Sequence, residues 1–88
     1  MEASREIPHG YASYLADRVP HPHRGELTPR ELEVLAYLSH GLRLGDIARE
    51  RGVTFHTVRD QARSARDRLA AKNLPHAVAI ALRHGLIE

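Results

Sequence analysis

Between Leu27 and Ile87 the apolar residues fall at helical spacing, and a breaker interrupts every stripe after a few turns. Gly41, Gly52, the run Asn73-Leu74-Pro75 and Gly85 cut the segment into four pieces too short for a long bundle or coiled coil. No alternating strand pattern and no internal repeat is visible. The fold this predicts is all-α, four short helices with short connections, preceded by an N-terminal arm.

The first helix has the clearest start. In Thr28-Pro29-Arg30-Glu31, Thr28 caps, Pro29 occupies the first helical position and Glu31 closes a capping box. Leu27, just before the cap, is placed to staple onto Leu32, and Val34, Leu35 and Leu38 continue the stripe to Gly41. A second helix is expected from Leu44 to Arg51, with Ile47 and Ala48 inward and Gly52 as its breaker. Thr54 caps a third, over about residues 54 to 70, whose inner stripe is Val58, Ala62, Ala65 and Leu69 at i, i+4, i+7 and i+11. Asn73-Leu74-Pro75 breaks it, and a fourth is expected from about His76 with Val78, Ile80, Ala81 and Leu82.

Residues 1 to 26 differ in kind. Pro8, Gly10, Pro20, Pro22 and Gly25 punctuate them, and Pro20-His21-Pro22-His23 is expected to be extended. Between the breakers, residues 11 to 19 have room for two helical turns with Tyr11, Tyr14, Leu15 and Val19 on one face. The chain thus divides into an arm, 1 to 26, and a compact domain, 27 to 88.

Composition narrows the function. With no cysteine among 88 residues there is neither a disulfide nor a thiol nucleophile. No Gly-rich phosphate loop is present, and Ser39 and Ser64 lack a base and an orienting partner, so an enzyme is not expected. Seven histidines raise the question of a metal, but His9, His21 and His23 have no carboxylate or thiolate to complete a tetrahedral set. Neither metal nor cofactor is expected. Nothing approaches the length of a membrane span or a secretory core, so a cytoplasmic protein is expected. Twelve of the thirteen basic residues are Arg, a count that GC-rich coding largely accounts for; placement says more. From Thr54 to Lys72 five basic residues stand against Asp60 and Asp67.

Those charges lie on one side of the third helix. Opposite its apolar stripe stand His56, Arg59, Arg63 and Arg66, with Asp60 beside them. A short helix, a tight turn at Gly52 and a longer helix with one basic face is the helix-turn-helix pattern. A helix in the major groove needs long cations to reach base edges, and small inner residues such as Ala62 and Ala65 let it sit close to its own domain. A charged, solvated face on an ordinary bundle is the competing explanation.

A family resemblance separates the two. Leu27-Thr28-Pro29-Arg30-Glu31, Val34-Leu35, Gly41-Leu42, Asp46-Ile47-Ala48, Gly52-Val53-Thr54, Thr57-Val58-Arg59, Lys72-Asn73, Ala77-Val78 and Gly85-Leu86-Ile87 occur in the order seen in LuxR-type DNA-binding domains. The likeness covers residues 27 to 87 without a gap. It implies a small transcriptional regulator that binds double-stranded DNA, with base contacts at Arg59, Asp60 and Arg63. It implies phosphate contacts near Thr54, Thr57 and Lys72, to which the basic face adds His56 and Arg66. It also implies a homodimer on DNA, paired through the last helix at Ala77, Val78 and Ala81. The run from Thr57 to Leu69 is similar as well to region 4 of sigma factors, a promoter-binding relative of the same fold.

Departures from the family pattern mark what to examine. Arg43 and Leu44 stand where a capping Ser or Thr and an Asn are usual, so the second helix is expected to start frayed or shifted. Arg51 replaces a buried Leu and must snorkel, pair with an acid or touch phosphate. Asp60 either accepts from cytosine N4 or, the favoured alternative, pairs with Arg59 or Arg63 and orients it. Leu32 and Ala36 replace charged residues and share a face with Tyr37 or His40. That face is expected to be covered by Tyr11, Tyr14 and Leu15 of the arm, or offered to a protein partner. A protein-interaction module that has kept the fold but lost DNA binding is the alternative function.

Overall fold

The computed structural model describes residues 26–88. Among them are four helices and no strand: α1 (Pro29–Ser39), α2 (Leu44–Arg51), α3 (Phe55–Arg68) and α4 (Leu74–Arg83). The all-α architecture is the expected one. Apart from Glu26, the arm and the helix expected over residues 11 to 19 lie outside the described residues.

Local chemistry sets the helix starts. Thr28 Oγ1 accepts from the Glu31 N–H at 3.1 Å while Glu31 Oε1 accepts from the Thr28 N–H at 2.9 Å, the complete reciprocal box. Thr54 Oγ1 accepts from the Thr57 N–H at 3.1 Å and opens α3. α2 starts at Leu44, neither frayed nor shifted, because Asp46 Oδ2 reaches back to the Arg43 N–H at 2.9 Å and does alone what the missing cap residue would share. The N–H of Arg43, and then the cations of Arg49 and Arg43, hold the Asp46 carboxyl below its ordinary value of 3.8.

The fourth helix departs from expectation. Asn73-Leu74-Pro75 breaks α3 but at the same time launches α4: Asn73 Oδ1 accepts from the His76 N–H at 2.8 Å, and Pro75 sits in the first turn, where its missing N–H costs nothing. Starting at Leu74, the helix turns Ala77, Ile80 and Ala81 inward, each fully buried, and leaves Leu82 exposed and Val78 only half-buried.

All four helices end in the same double hydrogen bond. After α3, the Ala70 N–H donates to the Asp67 carbonyl at 3.0 Å and the Ala71 N–H to the Arg66 carbonyl at 2.9 Å, so α3 stops at Arg68 rather than near residue 70. This motif requires a left-handed residue. Gly52 supplies it after α2 with φ of 70°, but after α3 the residue is Ala70, at φ of 55°, with a Cβ that the conformation disfavours.

The core is in two parts that share α1 and α3. Val34, Ile47, Ala48, Val58 and Ala62 join α1, α2 and the first half of α3. Leu27, Leu35, Ala65, Leu69, Ala77, Ile80 and Ala81 join α1, the second half of α3 and α4. The expected α3 stripe is therefore buried along its whole length, no member more than 1% exposed. Leu32 packs half-buried on the second part, as the staple with Leu27 requires. Its other flank meets the chain's own end, since Leu32 and Ala36 form a shallow groove with Leu86 and Ile87.

Two buried polar links cross this core, and spacing gave no sign of either. Glu31, beyond its capping role, accepts from Ser64 Oγ at 2.5 Å and pairs with Arg68 Nε at 3.2 Å, tying the start of α1 to the middle of α3. Arg68 also donates to the Glu26 carbonyl at 3.1 Å. Arg51, its side chain only 6% exposed, pairs with Glu33 at 3.4 Å and donates to Gln61 Oε1 at 2.6 Å. Of the fates open to Arg51, pairing with an acid is the one realised.

These contacts set the stability of five variants, all readable by thermal or urea unfolding. Glu31→Ala leaves the Thr28 N–H and the Ser64 hydroxyl without their charged acceptor and lowers stability by about 2 kcal/mol. Arg30→Ala, which removes only an exposed pair to Glu33, changes it by less than about 1 kcal/mol. Ala70→Gly relieves the left-handed alanine and raises stability by about 0.5–1 kcal/mol, while Gly52→Ala lowers it by about 1 kcal/mol. Because the Asp46 carboxyl is lowered in the fold, its contribution is present above the ordinary carboxylate value and lost as pH falls through the folded one. Asp46→Ala therefore melts lower than wild type at neutral pH, and the difference narrows below about pH 4.

Candidate nucleic-acid interface

α2, the turn at Gly52 and Val53, and α3 together present one surface. The Val53 N–H donates to the Ala48 carbonyl at 3.0 Å, which fixes the angle at which the chain leaves α2 and enters α3. With Val58, Ala62, Ala65 and Leu69 all facing inward, the opposite side of α3 has nowhere to go but solvent. His56, Asp60 and Arg63 are exposed there, and Arg59 and Arg66 are half-exposed at its edge.

Their partners distinguish them. Arg63 makes no hydrogen bond or ion pair among the described residues, so its guanidinium is unengaged. Asp60, expected to pair with Arg59 or Arg63, takes neither closely: its Oδ2 is 3.1 Å from His56 Nε2, with Arg59 Nη2 at 3.8 Å from Oδ1. Arg59 Nη2 lies 2.8 Å from His56 Nδ1, and its Nε is covered without a hydrogen-bond partner. Arg66 turns sideways to Asp67 at 3.1 Å and so adds little net charge to the outer face.

Around the start of α3 the polar positions gather. Thr54 and Thr57 bring their hydroxyl oxygens to 2.9 Å of one another at the helix N-terminus, where backbone N–H groups and the helix dipole favour an anion. Lys72 is exposed beyond the other end of α3, its backbone N–H donating to His76 Nδ1 at 3.0 Å. Phe55, which periodicity did not single out, is 52% exposed in the first turn beside His56 and gives this end of the face an apolar element.

The residues expected to pair two copies are placed differently. Ala77 and Ala81 are fully buried against α1 and α3, so neither side chain is available to a second molecule. The family resemblance offers them to a second copy, but α4 packs both into the core of its own domain. What α4 leaves outside is Val78 and, one turn on, Leu82, 45% exposed.

Among the described residues, no three His, Asp or Glu side chains gather as a metal set, and no helix is long and apolar enough to cross a membrane. His9, His21 and His23 lie outside the described residues.

Comparison with known proteins agrees with this geometry. Residues 25–81 match the model of the bacterial regulatory proteins of the luxR family. Over 74 residues the chain is 37% identical to the transcriptional activator protein BjaR1 of Bradyrhizobium diazoefficiens, a match covering 84% of this chain and 30% of that protein. The chain thus spans less than a third of that relative's length. No solved structure matches. The chain belongs to the luxR family of bacterial regulatory proteins, and its four helices are that family's helix-turn-helix DNA-binding unit.

Proposed function

We propose that the chain regulates transcription by binding double-stranded DNA sequence-specifically, with α3 laid in the major groove. One observation carries this reading: the apolar stripe of α3 is wholly buried, so its outer face of His56, Arg59, Asp60 and Arg63 is held rigidly at the surface. A groove-bound helix must be braced from behind and carry long cations in front, and this one does both. Arg63, unengaged, is the principal base reader. Arg59 is the second, and Asp60 acts beside it. Thr54 and Thr57 at one end, with Lys72 at the other and Arg66 at the edge, contact the flanking phosphates; His56, whose two ring nitrogens face Arg59 and Asp60, braces this end of the face instead.

On a two-fold site the chain pairs with a second copy through α4, using Val78 and Leu82. The Leu32 and Ala36 face, which borders Leu86 and Ile87, is covered by Tyr11, Tyr14 and Leu15 of the arm or offered to a protein partner. The protein works in the cytoplasm, on the nucleoid when bound.

Gel-shift titration of the 88-residue chain against genomic fragments and a scrambled duplex, at several salt concentrations, tests the reading. Affinity falls steeply with salt as phosphate contacts release counterions. Arg63→Ala and Arg59→Ala each cost about 1–3 kcal/mol and relax sequence preference, whereas Lys72→Ala weakens every duplex alike and lowers the salt slope by about one. Equal small losses at all three positions contradict a base-reading helix.

A further inference from the structure

On the outer face of α3 three side chains form a directed chain. A guanidinium has only hydrogens to offer, so the 2.8 Å contact between Arg59 Nη2 and His56 Nδ1 requires that nitrogen to be the acceptor. The imidazole proton then resides on Nε2, and at 3.1 Å it is donated to Asp60 Oδ2. Asp60 thereby selects the tautomer, and the tautomer holds the guanidinium. From the helices packed against α3, no titratable group comes within hydrogen-bond or ion-pair distance of this ring. On α2, Asp46 pairs with Arg43 and Arg49, and Arg51 with Glu33 of α1; Glu31 of α1 pairs with Arg68.

We propose that Asp60 and His56 are positioning residues that hold Arg59 for its base contact, and that a second proton on the imidazole releases it. The inference rests on the reading of α3 as the DNA-reading helix. An Arg stem has four rotatable bonds; a fork already fixed at one nitrogen loses less freedom on docking and tolerates fewer base edges. With both ring nitrogens protonated, Nδ1 turns from acceptor to donor and presents a like charge to the guanidinium. Arg59 lets go, while the imidazolium stays with Asp60. The same proton adds a positive charge to the face, which attracts any phosphate. Acidification therefore moves two quantities in opposite directions: general DNA affinity rises and base discrimination falls.

The test uses the full chain and duplexes recovered from a random pool. A recovered duplex is compared, from pH 8 to 5.5, with its single-base variant at the position where Arg59→Ala loses discrimination. Wild-type discrimination falls about fivefold on acidification, within what one bidentate contact supplies. Asp60→Ala discriminates poorly at every pH. His56→Asn, which keeps an acceptor near the Nδ1 position and takes no proton, gives a flat profile. Nitrogen NMR of the histidine-labelled chain without DNA shows the Nε2–H tautomer in wild type and its loss in Asp60→Ala. An Nδ1–H tautomer, a pH response retained in His56→Asn, or wild-type discrimination by Asp60→Ala overturns the proposal. If no duplex is recovered at all, the DNA reading fails and takes this proposal with it. An Nε2–H tautomer with normal DNA selection but no response to Asp60→Ala overturns the positioning role alone.

Discussion

The Glu31 carboxylate is the contact on which the arrangement of helices most depends. It answers the Thr28 N–H at the start of α1 and accepts from Ser64 in the middle of α3, with Arg68 one turn further on. One buried charge thus sets both where α1 begins and how α3 lies across it. Such a group is tolerated only because its lone pairs are answered from several directions. Apolar packing alone would bring α1 and α3 together, but it is indifferent to small rotations of a helix whose inner residues are alanines. A directional contact removes that freedom, and the azimuth of α3 decides which side chains reach DNA.

The rest of the body reinforces the same element. The stripe of α3, with its C-cap Leu69, places two fully buried residues in each part of the core, Val58 and Ala62 in one and Ala65 and Leu69 in the other. Arg51, Glu33 and Gln61 add a second polar link between α2, α1 and α3. The exposed ion pairs, such as Arg30 with Glu33, are worth little by comparison. Rigidity is thus concentrated behind α3, and what its outer face does is left to a few residues. On that face the acids matter as much as the bases. Asp67 diverts Arg66 and Asp60 engages His56, which leaves Arg63 as the unengaged cation.

Much of this was legible in the residues, for identifiable reasons. Caps and stripes are local: Thr28, Thr54 and the Val58-to-Leu69 spacing announce their helices because the groups that satisfy them are three or four positions away. The basic face of α3 follows from the same periodicity. What escaped is non-local or doubly determined. Glu31 meets Ser64 across 33 positions, and no spacing rule pairs them. Asn73-Leu74-Pro75 is as good a start as a stop, because a side-chain cap and a first-turn proline serve the helix that follows. Ala77 and Ala81, which the family resemblance offers to a second copy, are buried in the domain's own core, and only the packing of α4 against α1 and α3 reveals it. The start of α2 was judged by the missing cap residue when Asp46, three positions on, performs the reciprocal half. Asp60 is expected to pair with Arg59 or Arg63, but its shorter contact is to His56, which in turn meets Arg59, and that three-residue arrangement needs the coordinates of all three.

The account stands or falls on α3 entering the major groove with its guanidinium groups at base edges. Methylation interference on a selected duplex measures this most directly, because guanine N7 lies in the major groove and adenine N3 in the minor. Methylating particular guanines at N7 is predicted to abolish binding, with one of those interferences disappearing in Arg63→Ala. Interference confined to adenine N3, or a guanine pattern unaffected by Arg63→Ala, contradicts it.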